Sequence, residues 1–469
     1  MTLKLTPLIP RGMRKERDSL GELKIPDGVY FGIQSYRASL NFPISQTTVH
    51  IELVRTYLKL KRAAAIANQK AKALDARRTN AIVRAIDELL AEDFSKHFII
   101  DAYQAGAGTS QNMNANEVIA NKANELLGKP LGSYDPVNPN DHVNMSQSTN
   151  DTYPTAMRLA TLVLSRELTI ELKALSRSFD KKAREFDDVL KAARTHLQDA
   201  VPIRLGQEFA AYRDAILAGL KQVRAAQNTV RELGIGGSAA GTGINVPKTY
   251  RTSVLRELKK LFEDPKLCLA DNMCFAMQSQ MPMMVYSNAL RVTALELTRI
   301  VNDLRLLSSG PTNGLAEIQL PSTQPGSSIM PGKVNPSILE MANQVLFKVL
   351  GNDMAVAFAM QAGQLELNVM MPLMAAATLE STHIMTNMLR TLRLRSIDGI
   401  KANQERCRQY AEQTSQMATA LNPILGYAKA GEIAKQALTQ GKSVIQVVRE
   451  EKLLNEAQIE KLLDAKKLT

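Results

Sequence analysis

Cysteine is scarce: Cys268, Cys274 and Cys407 are the only three in 469 residues, and they form no CxxC or Cys/His spacing. That excludes a disulfide framework and a patterned zinc site, and fits a reducing cytoplasm. Hydrophobic residues make up 45% of the chain, yet no apolar run approaches the roughly 18 residues that a membrane helix needs. The opening residues, MTLKLTPLIPRGMRKERDSLG, lack the apolar stretch and the small-residue cleavage site of a secretory signal. Glu16, Asp18 and two prolines also break up their basic character, against an amphipathic transit peptide. A soluble, cytoplasmic chain without membrane partners is expected, long enough to bury a large core without staples.

Fifty-eight Lys and Arg against 46 Asp and Glu give a formal net charge of +12. The positive charges are interspersed with acids on helical segments such as KKAREFDD and RELKKLFED, with no basic block and no aromatic interleaving. Such a pattern describes solvated helix faces and predicts no nucleic-acid partner. It permits a field that attracts anionic substrates.

Helical periodicity dominates the middle of the chain. From Leu164 the apolar positions Leu168, Leu172, Leu175, Phe179, Ala183, Phe186 and Leu190 step by three or four, the stripe of one long helix. A second stripe is Phe209, Tyr212, Ile216, Leu220 and Val223, and a third is Leu290, Ala294, Leu297, Val301 and Leu304. None of these helices can bury its stripe alone, so they are expected to pack together or against other subunits in an elongated bundle. Ahead of them, helical stretches such as Val54 to Arg78 alternate with Gly/Asn-rich loops. Behind them, shorter helices are separated by turns at Asn422-Pro423, Gly426 and Gly441. This predicts three regions: 1–145, mostly helical; 146–399, the long-helix bundle; and 400–469, small and helical.

Three polar loops interrupt this helical chain and are the candidates for a site. In GAGTSQNMNANE, Gly106 to Glu117, the glycines let backbone N–H groups approach a ligand, while Thr109, Ser110, Asn112 and Asn114 offer neutral donors to carboxylate oxygens. Taken alone, it reads better as a polar helix start with Thr109 or Ser110 as cap. SQSTND, Ser146 to Asp151, could seat an anion and an ammonium side by side, and is equally a hydroxyl-rich helix cap. GSSIMPGKVNPSILE, Gly326 to Glu340, places Ser327 and Ser328 near Lys333 and Asn335 in a flexible loop ahead of a helix, a candidate nucleophile or base beside a fixed cation.

His196, in ARTHLQDAVP, is the histidine set among Arg194, Thr195, Gln198 and Asp199, although a lone histidine is more often structural. His50, His97 and His383 are expected to be structural. GIGGSAAGTGIN, Gly234 to Asn245, fits neither phosphate-loop register. It is expected to follow no strand and to form a tight turn between long helices.

Taken jointly, these strings resemble the fumarase/aspartase superfamily. GSSIMPGKVNP resembles its signature loop, and the other segments follow the superfamily's order from about Asp18 to near the C-terminus. SQSTND, THLQDAVP, GTSQNMN, LELNVM and ANQERC are similar to the aspartase branch; fumarases show SQSSND, THTQDATP and GTQSNMN. Two positions depart from that branch, which usually has glutamate at Met371 and glycine at Ala193. Asn138 stands where fumarases carry the histidine of a second anion site.

The resemblance implies an all-α, three-domain fold whose long central helices form a multi-helix core in a homotetramer with shared active sites. It implies reversible elimination of ammonia from L-aspartate to give fumarate. Ser327 would be the general base, acting on a small dicarboxylate. Ser328, Ser148 and Thr149 would hold the β-carboxylate, and Thr195, Lys333 and Asn335 the α-carboxylate. Thr109, Asn150 and His196 would surround the amino group, with Ser110 also binding substrate and Glu340 orienting the histidine. No organic cofactor and no resident metal are implied, and activation by a divalent metal is left open.

The alternatives are a class II fumarase, a lyase acting on a substituted aspartate, and a catalytically silent structural relative of the kind found among lens crystallins. The last would be expected to have lost Ser327, Lys333, Asn335, His196 or Thr109, all of which are present.

Overall fold

The computed structural model describes residues 12–469, so the opening eleven residues of the segment read for targeting lie outside it. The described residues are mostly helical, as the all-α expectation requires, with four two-stranded ribbons added. No helix among them is long and apolar enough to cross a membrane. The chain divides into two compact units, each drawn from three stretches of sequence.

The first unit comprises the chain up to Leu168 with Gln222–Arg291 and Lys348–Ile384. It opens on the antiparallel ribbon Met13–Asp18 and Gly21–Pro26, an addition to the mostly helical region expected there. The stretch expected to be helical from Val54 to Arg78 is two helices, Ile51–Lys70 and Ala76–Ala91. Lys72 turns through a left-handed conformation (φ 58°), and Asp75 caps the second helix by accepting the Arg78 N–H. Tyr57, Tyr153, Tyr250 and Tyr286 are fully buried here.

The glycine segment 234–245 does follow a strand. Glu232–Leu233 pairs in parallel with Cys268–Leu269, a contact 36 residues away that no local pattern announces. The next helix, Tyr250–Leu261, begins only after a long irregular loop, so the segment is no strand-to-helix phosphate turn.

The second unit comprises Thr169–Lys221, Val292–Phe347 and Met385–Thr469. Phe179, Phe186, Phe209 and Tyr212 pack here with ring centroids 5.1 to 6.1 Å apart. The three stripes fall on the helices Thr149–Glu185, Leu205–Val230 and Met281–Leu307, except that Phe186 lies in the turn just past the first helix and Leu190 lies beyond it. Leu190 kept the helical spacing but opens a strand, Leu190–Thr195. It is apolar because it joins the core of the C-terminal helices, with Met417, Leu421 and Ile433. Gly426 (φ 80°) and Gly441 (φ 62°) flank the helix Tyr427–Gln440, at the turns the sequence marked.

Candidate active site

The candidate residues fall in three places, one in the first unit and two in the second. In the first unit, the short turn Gly106–Gly108 leads into the helix Thr109–Leu126. Gly108 adopts φ 82°, and a Cβ there would collide with the Tyr153 ring, so glycine is required on two counts. Thr109 stands exposed at the helix start and Ser110 is buried beside it. Both line a cavity of about 640 Å³ that also includes Arg17, Arg37, Asn138 and Asn140. Asn114, read as a possible ligand donor, instead bonds the His97 carbonyl and the Ile99 N–H and is structural.

The second polar loop joins the first directly. Asn112 Nδ2 donates to Thr149 Oγ1 at 3.0 Å and to Asn144 Oδ1 at 3.2 Å, and Asn144 Oδ1 also accepts from Lys61 Nζ at 2.9 Å. The Asn150 N–H donates to Ser148 Oγ, and its side-chain amide to the Ala239 carbonyl. Pro154, inside the helix Thr149–Glu185, has no N–H and denies the Asn150 carbonyl its usual partner. Ser148, Thr149 and Asn150 thus present a partly exposed polar helix start.

Asp151 cannot face an ammonium as the sequence reading allowed. It is fully buried, accepting the N–H groups of Ser148, Gly236 and Ser238 at 2.9 to 3.0 Å. The glycine segment 234–245 is therefore fastened to SQSTND through this carboxylate. Burial raises the Asp151 pKa to about 6 against these three donors, and lowers that of Lys61 to about 7. Neither role was visible in sequence, because Gly236 and Ser238 lie more than 80 positions from Asp151, and Asn144 more than 80 from Lys61.

In the second unit, Ser327, Ser328, Lys333 and Asn335 share one loop. The Gly326 N–H donates to the Lys333 carbonyl at 2.9 Å, and Asn335 Nδ2 to the Gly326 carbonyl at 2.6 Å, so the loop is closed at its base. Ser327 Oγ accepts two backbone N–H groups, from Ile329 at 3.2 Å and Met330 at 2.9 Å. Ser328 and Lys333 are exposed, and Glu340 lies in the first turn of the helix Ser337–Gln361.

Thr195 and His196 occupy a separate hairpin, Leu190–Thr195 with Gln198–Arg204. They make no hydrogen bond to Ser327, Ser328, Lys333, Asn335 or Glu340 among the described residues. His50, His97 and His142 each use Nδ1 to accept a backbone N–H, and His383 lies ring to ring with His50 at 5.6 Å. No group of three or more His, Cys, Asp or Glu among the described residues is arranged to hold a metal.

A lyase family model matches residues 21–351, and a fumarase C C-terminus model matches residues 417–469. An aspartate ammonia-lyase of Bacillus subtilis is 45% identical over 97% of this chain and 96% of its own length. One of Helicobacter pylori is 44% identical over 96% of each. A solved structure described as fumarate lyase:delta crystallin from Brucella melitensis, bound to cobalt, matches with TM-score 0.93 and 46% identity over 97% of this chain and 99% of that one. A class II fumarase from Schistosoma mansoni matches with TM-score 0.92 and 32% identity, covering 97% and 98%.

The chain belongs to this lyase family. It is a carbon–nitrogen lyase of the fumarase/aspartase superfamily. In this lyase the two departures noted in sequence have simple settings. Ala193 sits at a β-bulge between Ala192 and Arg194 without a left-handed backbone, so glycine is not needed there. Met371 is fully buried at the start of the helix Met371–Arg395, a place where a lone charge would be costly.

Proposed function

We propose that this lyase is an aspartate ammonia-lyase, converting L-aspartate reversibly to fumarate and ammonia. The observation that carries the reading is the pair of backbone N–H groups on Ser327 Oγ. An ordinary serine hydroxyl is far too weak a base, and donors aimed at its oxygen favour the alkoxide. Similarity to aspartate ammonia-lyases over nearly the whole chain, and the aspartase-like strings SQSTND and THLQDAVP, support the substrate.

The Ser327 alkoxide takes a proton from the carbon beside the β-carboxylate, and the electron pair moves into that carboxylate as a doubly charged aci-carboxylate. Ser328, Ser148 and Thr149 hold its oxygens; each well-placed donor contributes roughly 3 kcal/mol in such sites. Thr195, Lys333 and Asn335 hold the α-carboxylate. The carbanion pair then returns to form the double bond, the carbon–nitrogen bond breaks, and its electrons leave with the nitrogen as ammonia. Thr109, Asn150 and His196 surround that nitrogen, with Ser110 also binding substrate and Glu340 orienting His196. The elimination needs no organic cofactor.

The proposal extends to a homotetramer in which three subunits complete each site, to closure of the 326–335 loop over substrate, to the domains 1–145, 146–399 and 400–469, and to a cytoplasmic location. The test of the substrate is ultraviolet detection of fumarate from L-aspartate and, separately, from L-malate. Fumarate from aspartate alone is expected. Fumarate from malate alone would make the protein a fumarase, and silence on both would point to a substituted aspartate.

A further inference from the structure

On the reading just proposed, Thr195 and His196 handle the α-carboxylate and the leaving nitrogen, yet neither is held by its own side chain. Thr195, His196, Leu197, Gln198 and Asp199 are all exposed, and none of their side chains makes a hydrogen bond or ion pair among the described residues. His196 and Leu197 both carry φ 58°, a left-handed turn that L residues adopt only when their surroundings impose it. Within the subunit, the support for the tip comes from the base of the hairpin.

At that base sits a buried carboxylate. Glu317 is fully buried; its Oε1 accepts from Arg194 Nη1 at 2.9 Å, and its Oε2 lies 3.0 Å from Lys191 Nζ. Arg194 directly precedes Thr195, and its guanidinium lies over the Tyr410 ring at 5.3 Å, with Arg406 also over that ring at 4.7 Å. Lys191 is paired independently with Glu208 at 2.8 Å, so the lysine does not depend on Glu317 for its counter-charge.

Glu317 is itself fixed through its backbone. Its carbonyl accepts from the Asn403 N–H at 2.9 Å and the Cys407 thiol at 3.5 Å, and the adjoining strand Ile318–Gln319 pairs with Lys401–Ala402. The bulge at Ala193 brings Arg194 out of the regular register of the ribbon.

We infer that Glu317 is a positioning residue for the lyase reaction: through Arg194 it clamps the hairpin that carries Thr195 and His196. It touches no reacting atom. A buried pair whose acceptor is anchored to a separate segment fixes direction as well as distance, which an exposed two-residue turn cannot do for itself.

The test uses the full-length protein with Glu317→Gln, Arg194→Gln and the double variant. Hydrogen exchange of residues 190–204 and kcat/KM on whichever of L-aspartate or L-malate the wild type consumes are read together. Each single variant is expected to speed exchange in that segment and to lower kcat/KM at least tenfold, and the double is expected to be no worse than the worse single within twofold, because both break one contact. Unchanged exchange in the segment, kcat/KM within twofold of wild type, or multiplying losses in the double would each overturn the clamp.

A role in fold stability alone would lower Tm while leaving kcat/KM of the folded protein unchanged. If Glu317→Gln does not fold, Arg194→Gln decides, since its side chain is partly exposed and Lys191 keeps both carboxylates paired. A wild type that consumes neither substrate would defeat the aspartase reading, while the exchange of 190–204 still decides the clamp.

Discussion

Glu117 and Asp151 have both lost their water, and backbone N–H groups replace it. Glu117 accepts from Gly32, Gln34 and Ser35 at the start of the helix Ile33–Asn41, and burial raises its pKa to about 7. His97 is the reverse case. Its Nδ1 accepts the Tyr30 N–H at 3.0 Å, and burial, helped by Lys96 and Lys122, lowers its pKa from 6.5 to about 4. A lowered histidine adds stability that is complete above the unfolded value and is lost as pH falls through the folded one. His97→Asn keeps an acceptor for Tyr30 but cannot titrate. Between pH 6.5 and 4 its Tm is expected to fall less than that of the wild type, as measured by thermal unfolding. Equal slopes in the two proteins would show that His97 is not the group responsible.

At the scale of elements, the signature loop depends on closure at its base. A Cβ on Gly326 would lie 2.6 Å from the Asn335 backbone nitrogen and from the Lys333 carbonyl oxygen, the acceptor of the Gly326 N–H that closes the loop. Gly326→Ala is expected to cost at least tenfold in kcat/KM with little change in Tm, because the loop is exposed and carries little core. Activity within twofold of wild type would mean that the closure is dispensable. The elements themselves were largely legible: the three stripes mark the helices Thr149–Glu185, Leu205–Val230 and Met281–Leu307 because one buried face imposes the 3.6-residue period. Leu190 misled because a strand residue facing a core is as apolar as a helical one. The polar loops were visible as strings, but their supports were not. Glu317 meets Arg194 across 123 positions and Lys61 meets Asn144 across 83, and no local pattern encodes such pairings.

At the scale of the whole molecule, apolar side chains remain exposed along two long helices. Met281, Val285, Val292 and Leu295 share the helix Met281–Leu307, and Phe347, Met354 and Phe358, each more than half exposed, share the helix Ser337–Gln361. Their spacing of three, four and seven makes stripes, and apolar stripes in water mark association surfaces. Light scattering is expected to give four times the chain mass of 51.6 kDa, and a fully active monomer would remove the basis for sites shared between subunits. The charge of +12 is spread over such a body and accords with a dicarboxylate substrate without specifying one.

Whether Ser327 takes the proton in an elimination of ammonia from L-aspartate is measured most directly by comparing wild type with Ser327→Ala in the fumarate assay. The wild type is expected to release fumarate and ammonia in equal amounts from L-aspartate, and the variant to lose at least a thousandfold in kcat while keeping the wild-type Tm. A folded Ser327→Ala protein that retained activity within tenfold of wild type would contradict the account and place the base elsewhere.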